Sequence, residues 1–139
     1  MKKSGHTSYF TSQRNRELMQ AFRRVLAQKR YFDIKKDFQL VVEQPCSRFW
    51  VSEERATAVI SAMLRNQPIL YTMRPSKQEM FLEIYLRVLA LKAESPSAPL
   101  FDLVFSAVNS PAPKFYMTPK YASDTIYKIL KSKKNVKSA

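Results

Sequence analysis

Two carboxylates, Glu79 and Glu83, stand at the four-residue spacing that puts side chains on one face of a helix, and Asp33 and Asp37 are the further carboxylates to be weighed with them. Such carboxylates could hold a divalent cation for phosphodiester hydrolysis, as in a metal-dependent nuclease or recombinase subunit. Nothing in the sequence assembles them, and Lys77 and Arg87 beside the glutamates fit an ion-paired, solvated helix face better. Other chemistries lack their residues. The single histidine is His6 and the single cysteine is Cys46, too few for a structural zinc site, a histidine-based triad or the zinc deaminase set. Gly5 is the only glycine, so a glycine-rich phosphate loop has no residues to form from. No catalytic residue, metal or cofactor is therefore expected.

Charge points to binding instead. Against 11 Asp and Glu stand 24 Lys and Arg, a formal net charge of +13 and a pI near 10.0. Folding does not require this excess, whereas a polyanion rewards it through electrostatic steering and release of condensed counterions. Cut at residue 70, the two halves carry +7 and +6. No stretch has the form of a cationic interfacial helix, so nucleic acid is the expected partner rather than a membrane surface. A lone cysteine cannot close an internal disulfide, which fits a reducing compartment. The opening "MKKSGHTSYFTSQ" lacks the apolar run of a signal peptide, and no segment reaches the roughly 20 apolar residues of a membrane span, so a cytoplasmic protein is expected.

The elements that must position these cations come twice. "VEQPCSRFWVSEERATAVISAML", 42–64, is matched by "VNSPAPKFYMTPKYASDTIYKIL", 108–130, in a register of 66. Val42/Val108, Pro45/Pro111, Phe49/Phe115, Ala56/Ala122, Ile60/Ile126 and Leu64/Leu130 are identical. "RVLA" at 24–27 recurs at 87–90 in a register of 63, so the second copy carries three extra residues, in "KAESPSAP". Apolar residues at helical spacing give a first helix from Thr11 or Ser12 and a short second helix from Ile34 to Val42 capped by Asp33. A third helix follows the N-cap Ser52. The second copy repeats this with a helix opening on a Ser76/Glu79 capping box, a short helix over 100–108, and a last helix capped by Thr118 with Pro119 at its first position.

The expected fold is all-α, with six helices in two tandem, pseudo-equivalent three-helix repeats. A flexible basic leader covers 1–13, repeat one 14–66, a packed linker 67–75, repeat two 76–131 and a basic tail 132–139. Ile69, Leu70, Tyr71 and Met73 are expected to pack in the linker. Three helices with a short second and a polar-capped third on a basic chain resemble a helix-turn-helix module, and two in tandem are similar in plan to Myb-type repeats. The connection ahead of the third helix, about eight residues, is longer than the three or four usual there. "SPAPKFYMTPKYA" also resembles short uncharacterised proteins of Bacteroides-type genomes and mobile elements.

The resemblance implies non-enzymatic binding of nucleic acid, above all double-stranded DNA, by a regulator or accessory factor. The alternative is a protein-interaction adaptor in a phage or mobile-element assembly. Candidate contacts are the polar residues of each third helix. In repeat one these are Arg55, Thr57, Ser61 and Arg65, preceded by Arg48 in the turn. In repeat two they are Lys120, Tyr121, Ser123, Tyr127, Lys128 and Lys131, preceded by Lys114. Arginines and hydroxyls can reach base edges, and lysines hold phosphates. Trp50 and Tyr116, each next but one to a cation, could stack on a base, although covering a core edge is the plainer role. Phe49 and Phe115 read as core plugs and Cys46 as a small packing residue. Glu53 and Glu54 would face phosphates unfavourably, which makes repeat two the expected reader.

Overall fold

The computed structural model describes residues 9–28, 31 and 33–138, and these form six helices. They are α1 (Thr11–Ala27), α2 (Ile34–Val42), α3 (Glu53–Leu64), α4 (Pro75–Glu94), α5 (Leu100–Val108) and α6 (Pro119–Ser138). The fold is all-α. Among the described residues the only β-type pairing is one isolated antiparallel bridge between Cys46 and Ala112. No helix among them is long and apolar enough to cross a membrane. Residues 1–8 of the expected leader, His6 among them, lie outside the described residues, and 11–13 already belong to α1.

Local chemistry explains most helix ends. Asp33, Ser52 and Thr118 each accept the backbone N–H three residues on, from Lys36 at 3.2 Å, Arg55 at 3.1 Å and Tyr121 at 3.1 Å. Each thereby satisfies one of the orphan donors of a first turn. α3 ends in a Schellman arrangement: Gln67 N–H donates to the Ala62 carbonyl and Asn66 N–H to the Met63 carbonyl. That motif needs a left-handed residue, and with no glycine available Asn66 takes φ 62°. α4 departs from the sequence expectation. Arg74 is its N-cap and Pro75 its first residue, so Ser76 lies inside the helix and no Ser76/Glu79 capping box opens it. Proline presets the helical φ and has no N–H to satisfy, which lets the helix begin a residue earlier. The expected tail is also helical, since α6 continues to Ser138.

The chain falls into two compact units, and they are not the two sequence repeats. Unit 1 comprises Met1–Pro45 with Pro113–Ala139, and unit 2 comprises Cys46–Ala112. In unit 1, α6 packs on α2 and α1. In unit 2, α3 packs on α5 and α4. α3 thus packs with α4 and α5, and α6 with α1 and α2, so the expected groupings 14–66 and 76–131 are not the ones the packing makes. The chain passes from unit 1 to unit 2 after Pro45 and returns at Pro113.

Each unit buries one of the two matched phenylalanines, Phe49 or Phe115. In unit 2, Phe49 is fully buried and the Arg87 guanidinium lies 4.8 Å from its ring centroid. Arg87 is held there by Glu83 at 3.0 Å, the Ser110 hydroxyl at 2.9 Å and the Pro111 carbonyl at 2.6 Å. In unit 1, Phe115 is buried, and Phe22, Phe38 and Tyr127 link α1, α2 and α6 through ring contacts of 5.7 and 5.8 Å. Val42, Val108, Ala56, Ala122, Ile60 and Ile126 are buried too, so four of the six identical pairs lie in cores. Of the expected linker contacts, Ile69, Leu70 and Met73 are half-buried between α3 and α4 in sequence, while Tyr71 is exposed.

Phe49→Ala and Phe115→Ala are each expected to cost about 3–5 kcal/mol, read as a drop in urea midpoint. This grouping has its own test. Ile126→Ala in α6 should speed amide hydrogen exchange in α1 and α2, and Ile60→Ala in α3 should speed it in α4 and α5, whereas sequential triplets would give the reverse pattern.

Candidate nucleic-acid interface

Partition by packing redistributes the charge. Counted over the sequence, unit 1 holds 17 Lys and Arg against 5 Asp and Glu, a formal +12. Unit 2 holds 7 against 6, a formal +1, and together they account for the +13 of the chain. The near-even split seen when the sequence is cut at residue 70 disappears, because the basic α6 joins the basic α1 and α2.

α6 is built to display cations. Ala122 and Ile126 are buried, and Ile129 is half-buried on the same side. At 100° per residue, the opposite face carries Lys120, Asp124, Lys128 and Lys131, all exposed. Lys120 pairs with Asp124 at 3.1 Å across one turn, both well exposed, so the pair contributes little to stability. Lys128 and Lys131 make no ion pair among the described residues. Tyrosines flank this stripe on both sides, each 47% exposed: Tyr121, with the Arg14 guanidinium of α1 5.4 Å from its ring centroid, and Tyr127, whose ring meets Phe38 of α2 edge-on. Such contacts restrict the rings in advance, so less side-chain entropy remains to be lost on binding. Ser123 is half-buried. Arg16, Arg23, Lys35, Lys36 and Lys133 are exposed cations of the same unit that the sequence reading left out of the site. Their charge was legible, but their grouping with α6 was not.

α3, the counterpart in unit 2, offers less. Arg55 and Arg65 are exposed, but Thr57 turns its hydroxyl back to the Glu53 carbonyl at 2.7 Å and Ser61 is half-buried. Arg65 is the C-cap residue and reaches Gln67.

Three expected contacts belong to the interior. Arg48 is only 5% exposed, and it donates from Nε to the Phe49 carbonyl at 2.9 Å and from Nη2 to the Val51 carbonyl at 2.6 Å. Glu53, also buried, lies 3.8 Å from Arg48 Nη1 and accepts from Asn109 at 2.9 Å. This arginine ties the "RFWV" turn to the start of α3 and has no reach toward a ligand. Glu53 is accordingly spent on internal contacts, and only the exposed Glu54 is left to oppose phosphate at that helix start. Trp50 and Tyr116 are 6% and 8% exposed, so neither ring is presented for stacking. Tyr116 moreover sits at φ 56°, a left-handed conformation that costs a bulky residue about 1–3 kcal/mol and persists only where packing over-determines it. Lys114 is half-buried, its ammonium 5.9 Å from the Tyr116 ring centroid.

Three of the four carboxylates, Asp33, Asp37 and Glu83, are engaged in structural contacts. Asp33 caps α2, and Asp37 accepts the Asp33 N–H at 2.7 Å. Glu83 pairs with Arg87. No cluster of three or more potential metal ligands occurs among the described residues. Cys46 is buried and its thiol donates to the Arg48 carbonyl at 3.3 Å. No protein-family model, curated protein or solved structure matches the chain.

Removing Arg48 takes the guanidinium donor from the Val51 carbonyl and the counter-charge from the buried Glu53, so Arg48→Ala should lower stability by about 3 kcal/mol or more. Arg55→Gln, on the surface, should change it by less than about 0.5 kcal/mol. Urea titrations of the two variants compare them directly.

Proposed function

We propose that this chain is a non-enzymatic nucleic-acid-binding protein, a regulator or accessory factor, that presents the exposed face of α6 to duplex DNA. The single observation that carries the reading is the concentration of +12 in the unit that contains α6. A helix of 20 residues is about 30 Å long and fits the major groove, roughly 12 Å wide. Lys128 and Lys131 suit phosphates on the groove edges, and Tyr121 and Tyr127 place hydroxyls at the borders of the same stripe. Arg16, Arg23, Lys35 and Lys36 extend the positive field over α1 and α2, where counterion release adds affinity without reading sequence. α3 is an auxiliary contact at most in this scheme. Two exposed arginines beside Glu54 give it little net field.

The test is the salt dependence of binding to unrelated duplex. With about six to eight phosphates neutralised, the logarithm of the binding constant should fall against the logarithm of salt with a slope near −5 to −7. Lys120→Gln, Lys128→Gln and Lys131→Gln together should flatten that slope by up to about 3 units, whereas Arg55→Gln with Arg65→Gln should change it by less than about 1. Equal flattening by both sets would remove α6 from its assigned role. Absence of salt-dependent binding to duplex, single-stranded DNA and RNA would leave the adaptor for an acidic protein in its place.

A further inference from the structure

Unit 2 carries an apolar seam that its own core does not use. On α4 the residues turned inward are Met80, Phe81, Ile84 and Val88. Leu82, Leu86 and Leu89 project about 150° away from them around the helix and are 49%, 59% and 37% exposed. With Ala93 they are spaced four, three and four residues apart, the alternation of a coiled-coil seam. On α1, 63 residues earlier, the positions of Leu82 and Leu86 hold the buried Met19 and the exposed Arg23. A cation therefore interrupts the seam in unit 1, and it is continuous only in unit 2.

We infer that this seam is a self-association surface, and that its occupant is α4 of a second copy of the chain, packed antiparallel. Charge and the order of side chains along the seam select that occupant. Like charge discourages approach through unit 1 at +12, whereas unit 2 at +1 presents almost no barrier to its own copy. The seam is also self-complementary when antiparallel. Leu86 then meets Leu89 of the other copy, and Leu82 meets Ala93, large against small. Flanking positions avoid like-charge contacts: Glu83 falls opposite Ala90, and Lys92 falls opposite Tyr85, where its ammonium can lie over the ring. The arrangement is isologous, as a twofold dimer requires. About three helical turns a side bury less than roughly 1,200 Å² in total, so the dimer is weak and concentration-dependent.

Sedimentation velocity on the full chain tests this at about 0.5 M salt, where the Debye length is only a few Å and repulsion between the basic units is screened. A monomer–dimer equilibrium with Kd on the order of 10–100 μM is expected. Leu86→Glu should weaken it more than about tenfold with an unchanged thermal melt, because Leu86 lies outside the core, and Leu86→Met should retain the dimer. For orientation, oxidising a mixture of Leu86→Cys and Leu89→Cys chains should give chiefly the mixed disulfide, Cys46 being buried. A chain monomeric up to about 500 μM, or a dimer indifferent to Leu86→Glu, overturns the proposal. A preference for disulfides between two Leu86→Cys chains overturns the antiparallel arrangement. None of these readouts involves nucleic acid, so they stand or fall separately from DNA binding.

Discussion

Two backbone hydrogen bonds fix where the third helices go. Phe49 N–H donates to the Val108 carbonyl at the end of α5, and Phe115 N–H donates to the Val42 carbonyl at the end of α2, at 3.0 and 2.9 Å. Each lies between the last residue of a short helix and the aromatic turn that leads into the helix packed on it. The two donors, Phe49 and Phe115, are 66 residues apart and so are the two acceptors, Val42 and Val108, but each donor takes the acceptor that precedes the other, so the same join is made twice with its halves exchanged. Once the amide is anchored, the phenylalanine enters the core, and Ser52 or Thr118 then starts the helix. A buried amide left without a partner would cost about 1–3 kcal/mol, and a displaced ring several more, so the two parts of each turn hold each other in place.

The turns are otherwise made in different ways. In "SRFWVS", Arg48 folds back on the carbonyls of Phe49 and Val51, and the turn needs no unusual backbone. In "PKFYMT", Lys114 cannot offer the same planar fork, and its ammonium lies near the Tyr116 ring while that residue adopts a positive φ. An arginine with several donors closes one turn, and a strained tyrosine held by burial closes the other. Substituting one basic residue for the other in the sequence is conservative in charge but not in geometry.

The exchange also separates two properties that sequence order mixes. Bringing α6 beside α1 and α2 collects the cations into one unit, leaving the other nearly neutral. A nearly neutral unit can keep exposed leucines on α4 without setting a strong positive charge against a partner, while the charged unit keeps Arg23 at the matching place on α1. Under the functional reading given above, binding of a polyanion and contact with another protein surface would belong to different units of one chain.

What the sequence determined by itself is local. Asp33, Ser52, Thr118 and Pro119 mark helix starts because capping is chemistry within four residues, and the periodic apolar residues locate all six helices for the same reason. Phe49 and Phe115 announce a core position by being the same in both copies. The sequence did not show that Arg48 is buried, since its partners are carbonyls of a turn whose shape is not written in residue types. Nor did it show which helices pack together. α3 and α6 bury the same alanine and isoleucine, Ala56 with Ile60 and Ala122 with Ile126, so either stripe suits either pair of partners. Only the path of the two connections through Pro45 and Pro113 decides between them, and that path is a tertiary property, because it depends on amides and carbonyls from distant parts of the chain meeting at Val42 and Val108.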